Sequence, residues 1–230
     1  MSQAYFITGT DTDAGKTTIT AGLLCAAKQQ GRTTLAMKPV ASGCEMTVQG
    51  LRNSDALALI AQSTVQLPYS QVNPYAFAPA IAPHIAAQEV GVELRVTDLY
   101  QAAQTLLHEQ ADFTLIEGAG GWRVPISAHE YLSDFAVALN LPVILVVGVK
   151  LGCINHALLT VEAIRSDGLE LAGWVANVVD PDCARLSENI EFLKQHISAP
   201  CLATVPHLEA ATAEHVAEYL QSSDCYLAEV

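Results

Sequence analysis

Near its start the sequence runs Tyr5-Phe6-Ile7-Thr8 and then Gly9-Thr10-Asp11-Thr12-Asp13-Ala14-Gly15-Lys16-Thr17-Thr18, followed by an apolar-periodic stretch. This is the order strand, polar glycine-bracketed loop, helix. Such a loop turns successive backbone N–H groups and a helix N-terminus toward one concavity, a receptor for phosphate oxygens. In that setting the Lys16 ammonium reaches β- and γ-phosphates and the Thr17 hydroxyl is placed for Mg2+. The spacing departs from the general phosphate-loop pattern, which places glycine at position 10. Here Thr10 stands there and Gly9 comes one residue early. The strand–loop–helix context nevertheless predicts a site for a nucleoside triphosphate, ATP first.

Phosphoryl transfer also needs a metal, and Mg2+ commonly takes one or two carboxylates beside phosphate oxygens and water. Glu117 follows an apolar run and opens Glu117-Gly118-Ala119-Gly120-Gly121-Trp122, a carboxylate with small residues behind it that admit close backbone approach to a ligand. Asp55, in Arg52-Asn53-Ser54-Asp55, sits where a helix starts. The dipole and capping favour an acid there, so the local pattern reads Asp55 as structural. Lys38 precedes Pro39, which ends a strand by removing a donor. It reads either as a rim cation for transferred phosphate or as a solvated strand-end charge. Asn155, after Lys150-Leu151-Gly152-Cys153-Ile154, is a candidate N-cap of the next helix, whose N-terminus could equally receive a carboxylate. His108, His196 and His215 read as helix-surface residues, and His207 either lines a nucleotide pocket or sits on a turn.

The elements that must position these residues follow from periodicity. Strands are expected at Tyr5–Thr8, Thr33–Lys38, Phe113–Glu117, Pro142–Val149, Leu171–Val178 and Cys201–Val205. Helices are expected at Lys16–Gln29, Ser54–Gln62, Val96–Gln110, Tyr131–Leu139, Asn155–Ser166, Ala184–His196 and Ala213–Gln221. Alternating strands and helices with near-continuous apolar strands specify an α/β fold: a mostly parallel twisted sheet with helices on both faces, P-loop NTPase-like. Ligands then collect at the carboxyl ends of the strands, so residues 9–17, 38–44, 117–123, 148–155, 177–181 and 206–209 should converge on one rim. The stretch Pro68–Pro83 reads as a long surface loop, and residues 1–230 as a single domain.

Composition narrows the partners. The net charge is −13 and there is no basic run, which argues against a nucleic-acid or anionic-membrane partner. The longest strongly apolar run, Leu141–Val149, is too short to cross a bilayer, and Met1-Ser2-Gln3-Ala4 opens no secretory signal, so a cytoplasmic location is the expectation. The six cysteines, Cys25, Cys44, Cys153, Cys183, Cys201 and Cys225, show no Cys-x-x-Cys or zinc spacing and read as free thiols.

Taken in order, the phosphate loop Gly9–Thr17, Met37-Lys38-Pro39-Val40-Ala41-Ser42-Gly43, Leu51-Arg52-Asn53-Ser54-Asp55-Ala56, Asn73-Pro74-Tyr75, Glu117–Trp122, Val147–His156 and Gly173-Trp174-Val175-Ala176-Asn177 resemble the dethiobiotin synthetase family. The offset glycine is what that family shows, and the match extends to about Pro206. The resemblance implies an ATP-dependent ligase of biotin biosynthesis that closes a ureido ring on 7,8-diaminononanoate with CO2, via a carbamate and a carbamic–phosphoric anhydride, giving dethiobiotin, ADP and phosphate. It implies Lys16 and Lys38 as catalytic cations, and Thr17, Asp55 and Glu117 as Mg2+ ligands, which reverses the structural reading of Asp55. The nucleotide would meet Asp13, Ala14, Gly15, Lys16, Thr17, Thr18, Glu117, Gly118, Ala119, Gly120, Asn177, Pro206, His207 and Leu208, with Glu209 or Glu214 as a late acidic contact. Ser42 would contact the diamine. Leu151, Gly152, Cys153, Ile154 and Asn155 would receive the substrate carboxylate across a homodimer interface. The rival reading is a P-loop ATPase switch of the same fold that acts on a protein partner. Against it stand the early loop residues Thr10, Asp11 and Thr12, where such switches carry an extra lysine, and the acidic C-terminal stretch Ser222–Val230.

Overall fold

The structure is a computed structural model and describes residues 2–222. Its elements are β1 (Gln3–Gly9), α1 (Lys16–Gln29), β2 (Thr34–Met37), β3 (Val40–Ala41), β4 (Glu45–Thr47), β5 (Gly50–Arg52), α2 (Ser54–Gln62), α3 (Tyr69–Val72), β6 (Tyr75–Ala76), α4 (Pro83–Glu89), α5 (Val96–Leu107), β7 (Phe113–Glu117), α6 (Leu132–Leu139), β8 (Val143–Val149), α7 (Cys153–Ser166), β9 (Leu171–Val178), α8 (Leu186–His196), β10 (Cys201–Val205) and α9 (Ala213–Ser222). All six expected strands are present, and they form one six-stranded sheet in the order β10-β9-β8-β1-β7-β2. Every pairing in it is parallel. The reason lies in the residue types. Every residue of β7 and of β8 is buried, so these strands have no solvated face and need helices on both sides.

The helices supply two apolar layers. One face of the sheet packs α1, α2 and α9 through Ile19, Leu23, Leu24, Leu59, Val216 and Leu220. The other packs α4 to α8 through residues such as Ala86, Leu99, Phe135, Ile164 and Leu193. On that second face Phe6 meets Trp122 and Phe135 edge-on, with ring centroids 6.2 and 6.0 Å away. Trp122 thereby roots the Glu117–Trp122 loop in the core. Among the described residues, no helix is long and apolar enough to cross a membrane.

Several expectations need correction. Pro68–Pro83 is not a loop lying on the surface. It contains α3 and β6, β6 pairs in parallel with β3, and Val72, Asn73 and Phe77 are buried. Its periodicity is too short to read, because α3 has four residues and β6 two. Helix α7 starts at Cys153 and its N-cap is Gly152, at φ 93°, so Asn155 is an exposed residue inside the helix and not its cap. Helix α8 begins at Leu186, not Ala184, and α5 ends at Leu107. His108, His196 and His215 are exposed, as expected. Cys25, Cys44, Cys153, Cys183 and Cys201 are free thiols. Cys225, and all of the acidic C-terminal stretch past Ser222, lie outside the described residues.

Close helix packing explains one glycine. A Cβ on Gly22, in the middle of α1, would sit 2.4 Å from Val216 Cγ1 and 3.0 Å from Leu220 Cδ1 of α9. Replacing an interior helical glycine by alanine normally gains up to about 1 kcal/mol. Here overpacking of a buried contact costs about 1–3 kcal/mol and wins. Gly22→Ala is therefore expected to lower the melting temperature by roughly 2–6 °C, and a rise in a thermal melt would show that α9 yields freely.

Candidate active site

The phosphate loop begins where β1 ends at Gly9. Thr10 N–H donates to Val146 O at 3.0 Å, and Gly148 N–H donates to Thr10 Oγ1 at 3.2 Å, so the loop is moored to β8. Ala14 is buried against Gly148, where a Cβ would come 3.0 Å from Ala14 Cα. Gly15 takes φ 86°, and a Cβ on it would lie 2.1 Å from Asn177 Nδ2, so both backbone and space require glycine. Asp13 is also left-handed, at φ 59°. No side chain caps α1 and its first turn carries no acid. Its N-terminal donors and positive dipole end are thus available for an anion.

Behind the loop stands a cluster of charges. Lys38 leaves β2 and is buried, and its Nζ lies 2.7 Å from Glu117 Oε1, 3.2 Å from Asp55 Oδ2 and 3.2 Å from Gly118 O. Thr17 Oγ1 donates to the same Glu117 Oε1 at 2.7 Å. Glu117 is wholly buried, and its Oε2 has no hydrogen-bond partner. A buried carboxylate oxygen without a donor is costly, and a cation is the partner that its lone pairs lack. The residues therefore fit a divalent metal: Glu117 Oε2, the half-exposed Asp55 carboxylate, and Thr17, whose proton is directed to Glu117 and whose lone pairs remain open.

Charge states follow from this packing. Burial lowers the Lys16 ammonium to a pKa of about 8, and the Lys38 charge adds to the effect. Lys16 Nζ donates to Asp11 O at 3.0 Å. For Lys38 burial acts downward, but Glu117 and Asp55 outweigh it and hold the ammonium above the ordinary lysine value. The alternative of a solvated Lys38 is thus ruled out. So is a purely capping role for Asp55, because Asn53 caps α2 by accepting from Ala56 N–H and leaves Asp55 to pair with Lys38. Lys150 pairs with the Asp11 carboxylate at 3.2 Å and, through that hydrogen bond first, lowers its pKa.

Two cavities flank the loop. The larger, about 920 Å³, is lined by Asp13, Gly15, Lys16, Thr17, Thr18, Lys38, Ser42 and Asp55 and by Ala119 and Gly120, with Ile81, Pro83, Val124 and Pro125 forming an apolar wall. The smaller, about 220 Å³, is lined by Gly15, Thr18, Asn177, Pro206, His207 and Leu208. Gly15 and Thr18 belong to both, so the N-terminus of α1 joins them. Neither Glu209 nor Glu214 lines the smaller cavity. Asn177 Nδ2 donates to Ala14 O at 3.0 Å, which ties the tip of β9 to the phosphate loop.

Leu151 to Asn155 stand apart. None of them lines either cavity, Leu151 is 89% exposed and Cys153 is buried. The rest of the expected rim segment 148–155 does meet the phosphate loop, through Gly148 to Thr10 and Lys150 to Asp11. Asn73 is a residue whose role the sequence did not reveal. It is buried, and its amide donates to Lys38 O at 2.7 Å while Lys38 N–H donates to Val72 O at 2.8 Å. The Asn73-Pro74-Tyr75 motif was the available signal, but nothing local linked it to Lys38.

Comparison with known proteins agrees with this geometry. A family model described as an AAA domain matches residues 3–215. The ATP-dependent dethiobiotin synthetase BioD of Pseudomonas aeruginosa strain UCBPP-PA14 is 64% identical over 217 residues, covering 94% of this chain and 95% of that protein. The protein of the same name from Cellvibrio japonicus strain Ueda107 is 60% identical, with 95% of each covered. Among solved structures, the septum site-determining protein MinD of Pyrococcus horikoshii OT3, complexed with Mg-ADP, superposes with a TM-score of 0.56 at 18% identity, covering 99% of this chain and 93% of that one. The MinC:MinD cell division complex of Aquifex aeolicus gives 0.59 at 15%, covering 94% and 86%. Identities this low establish the shared P-loop fold and nothing of the activity. The near-full-length relatives at 60–64% decide the rest: the chain belongs to the dethiobiotin synthetase family, the ATP-dependent ligases of biotin synthesis.

Proposed function

We propose that this chain closes the ureido ring of dethiobiotin on 7,8-diaminononanoate, with CO2 and ATP as co-substrates. The observation that carries the proposal is the buried Lys38 at the end of a cleft that also holds Lys16, Thr17, Ser42 and Asp55. One amine of the substrate adds to CO2 and gives a carbamate. A carbamate oxygen attacks the γ-phosphorus, and the bond to the β–γ bridging oxygen breaks, releasing ADP. The second amine attacks the carbamoyl carbon of the mixed anhydride, and phosphate leaves as the ring closes. No protein nucleophile is needed, and among the described residues no cysteine or histidine lines the main cleft. Positioning and charge stabilisation then carry the rate.

Residue roles follow the cavities. The triphosphate runs across the N-terminus of α1, over Asp13, Ala14, Gly15, Lys16, Thr17 and Thr18, with Ala14 contributing backbone only. The base sits in the smaller cavity against Asn177, Pro206, His207 and Leu208, where an amide can read a donor and an acceptor. Glu117 to Gly120 border the γ-phosphate end. Lys16 and Lys38 face the oxygens that gain charge, and Ser42 holds the diamine along the apolar wall. Thr17, Asp55 and Glu117 would hold Mg2+, which when bound neutralises charge on the phosphate oxygens. Leu151 to Asn155, of which Leu151, Gly152 and Asn155 are exposed and none lines the chain's own cleft, offer the uncapped N-terminus of α7 to a substrate carboxylate in the partner subunit of a homodimer.

Three outcomes are expected. Purified protein should consume ATP when diaminononanoate and bicarbonate are both supplied; equal ATP turnover without the diamine would point instead to an ATPase switch. Light scattering at working concentration should give a dimer, whereas a monomer would end the cross-subunit carboxylate site. The pH profile should carry the mark of Lys16. Its ammonium form binds triphosphate and is lost above a pKa of about 8, in place of the ordinary lysine value. kcat/KM for ATP reports the free enzyme, so it should fall as pH rises through about 8. A profile flat to about pH 10, near the unperturbed lysine value, would show that Lys16 stays charged.

A further inference from the structure

The Lys38 ammonium has three N–H donors; two go to Glu117 Oε1 and Gly118 O, and Asp55 Oδ2 stands 3.2 Å away as an ion-pair partner. The two carboxylates hold the ammonium between them. For Lys38 to turn toward a phosphoryl or carbamate oxygen, the ion pair with Asp55 must loosen. The backbone cannot supply the movement, because Lys38 N–H is held by Val72 O and Lys38 O by the buried Asn73 amide. The side chain alone must turn.

Its partners differ in how readily they let go. Glu117 has no exposed surface, and stripping it of its ammonium would leave a charge in the interior. The Asp55 side chain is 41% exposed and can find another cation from solvent. Asp55 and Glu117 are also the two carboxylates assigned to the metal, so this step rests on the function proposed above. Two cations cannot both take Asp55 Oδ2 at full strength. Meanwhile Glu117 Oε2, which lacks a partner, is ready for the second cation without loss of the Oε1 contacts.

We propose that Lys38 and a divalent cation compete for the Asp55 carboxylate, and that a cation taking Asp55 frees the Lys38 ammonium to turn toward the reacting oxygens. Glu117 serves both states: Oε1 keeps Lys38 and Thr17, and Oε2 takes the newcomer. The lysine is thereby withheld from ATP until the metal is in place. Metal affinity and lysine position are linked, and linkage is reciprocal, so removing the lysine must strengthen the metal.

The test uses Mn2+ as a spectroscopically visible divalent probe, titrated into the full-length protein with saturating ADP and followed by electron paramagnetic resonance. Lys38→Gln should bind Mn2+ about tenfold more tightly than wild type, within the usual range of coupling between sites, while its turnover falls. Lys38→Arg, which keeps the charge, should bind Mn2+ as wild type does. A Lys38→Gln affinity equal to or below wild type, with Asp55→Asn weakening both, overturns the competition for Asp55 and leaves the metal site standing. If Asp55→Asn has no effect on Mn2+ in either background, the metal assignment itself falls. Loss of the ammonium can unfold a protein with a buried glutamate, so a second measurement uses wild-type protein with 15N at the lysine side-chain nitrogens. Adding Mg2+ to the ADP complex should shift the resonance that Lys38→Arg identifies as Lys38; an unmoved resonance overturns the proposal.

Discussion

The contact on which the rest of this structure depends is the buried pair between Lys38 and Glu117, 2.7 Å apart. Taking an ammonium and a carboxylate out of water costs several kcal/mol for each ion, and only close geometry with further hydrogen bonds offsets it. The sheet supplies that geometry. β7 lies between β1 and β2, so the carboxylate at its tip is flanked by the phosphate loop that follows β1 and by the lysine that follows β2. Any other strand order would part Thr17, Glu117 and Lys38. The fully buried β7 makes this possible, since a strand buried on both faces carries its terminal carboxylate into a region where one charge must answer another.

The same logic extends outward from the pair. The phosphate loop is fixed on one flank by β8, through Thr10, and on the other by β9, through Asn177 and Ala14 O. Hydrogen bonds within the fold thus hold its shape, which lowers the cost of ordering it around a ligand. The two cavities that share Gly15 and Thr18 lie on either side of the α1 N-terminus, so a molecule with an anionic chain between two neutral ends spans them with its charge on the helix dipole. Asn73 fixes the Lys38 backbone from the α3–β6 segment, which makes that segment part of the site and not a mere connection.

The central architecture was legible because it rests on long-range hydrophobic pattern. All six strands of the sheet read as apolar runs of four to eight residues, and α1 and α2 were delimited residue for residue by Lys16–Gln29 and Ser54–Gln62. The short elements on either side of α2 were not, since β3, β4, β5, β6 and α3 are each four residues or fewer and carry no period. At the site, the placement of Lys16, Thr17 and Glu117 followed from strand–loop–helix order. Asp55 did not: a first-turn acid and a cap look alike in sequence, and only the structure shows Asn53 doing the capping. Asn155 failed for the converse reason. A good capping residue was available, but Gly152 at positive φ starts the helix earlier. That Leu151 to Asn155 line neither cavity of the chain is likewise something no local pattern encodes.

The fold neighbours sharpen what the scaffold can and cannot decide. A MinD structure with Mg-ADP and this chain share a fold, so the fold cannot by itself select one use of a nucleotide over another. Selection has to come from groups beyond the loop. On the proposed function those are a lysine held at the tip of β2 and a serine and an apolar wall in the same cleft, whose volume of about 920 Å³ leaves room for more than a terminal phosphate. A water-attacking ATPase has no use for so large a space beside its γ-phosphate. The proposed reaction, whose nucleophile is itself a chain-like substrate, requires it, and on that proposal the Lys38 and Lys16 charges that line the space would favour a carbamate over water.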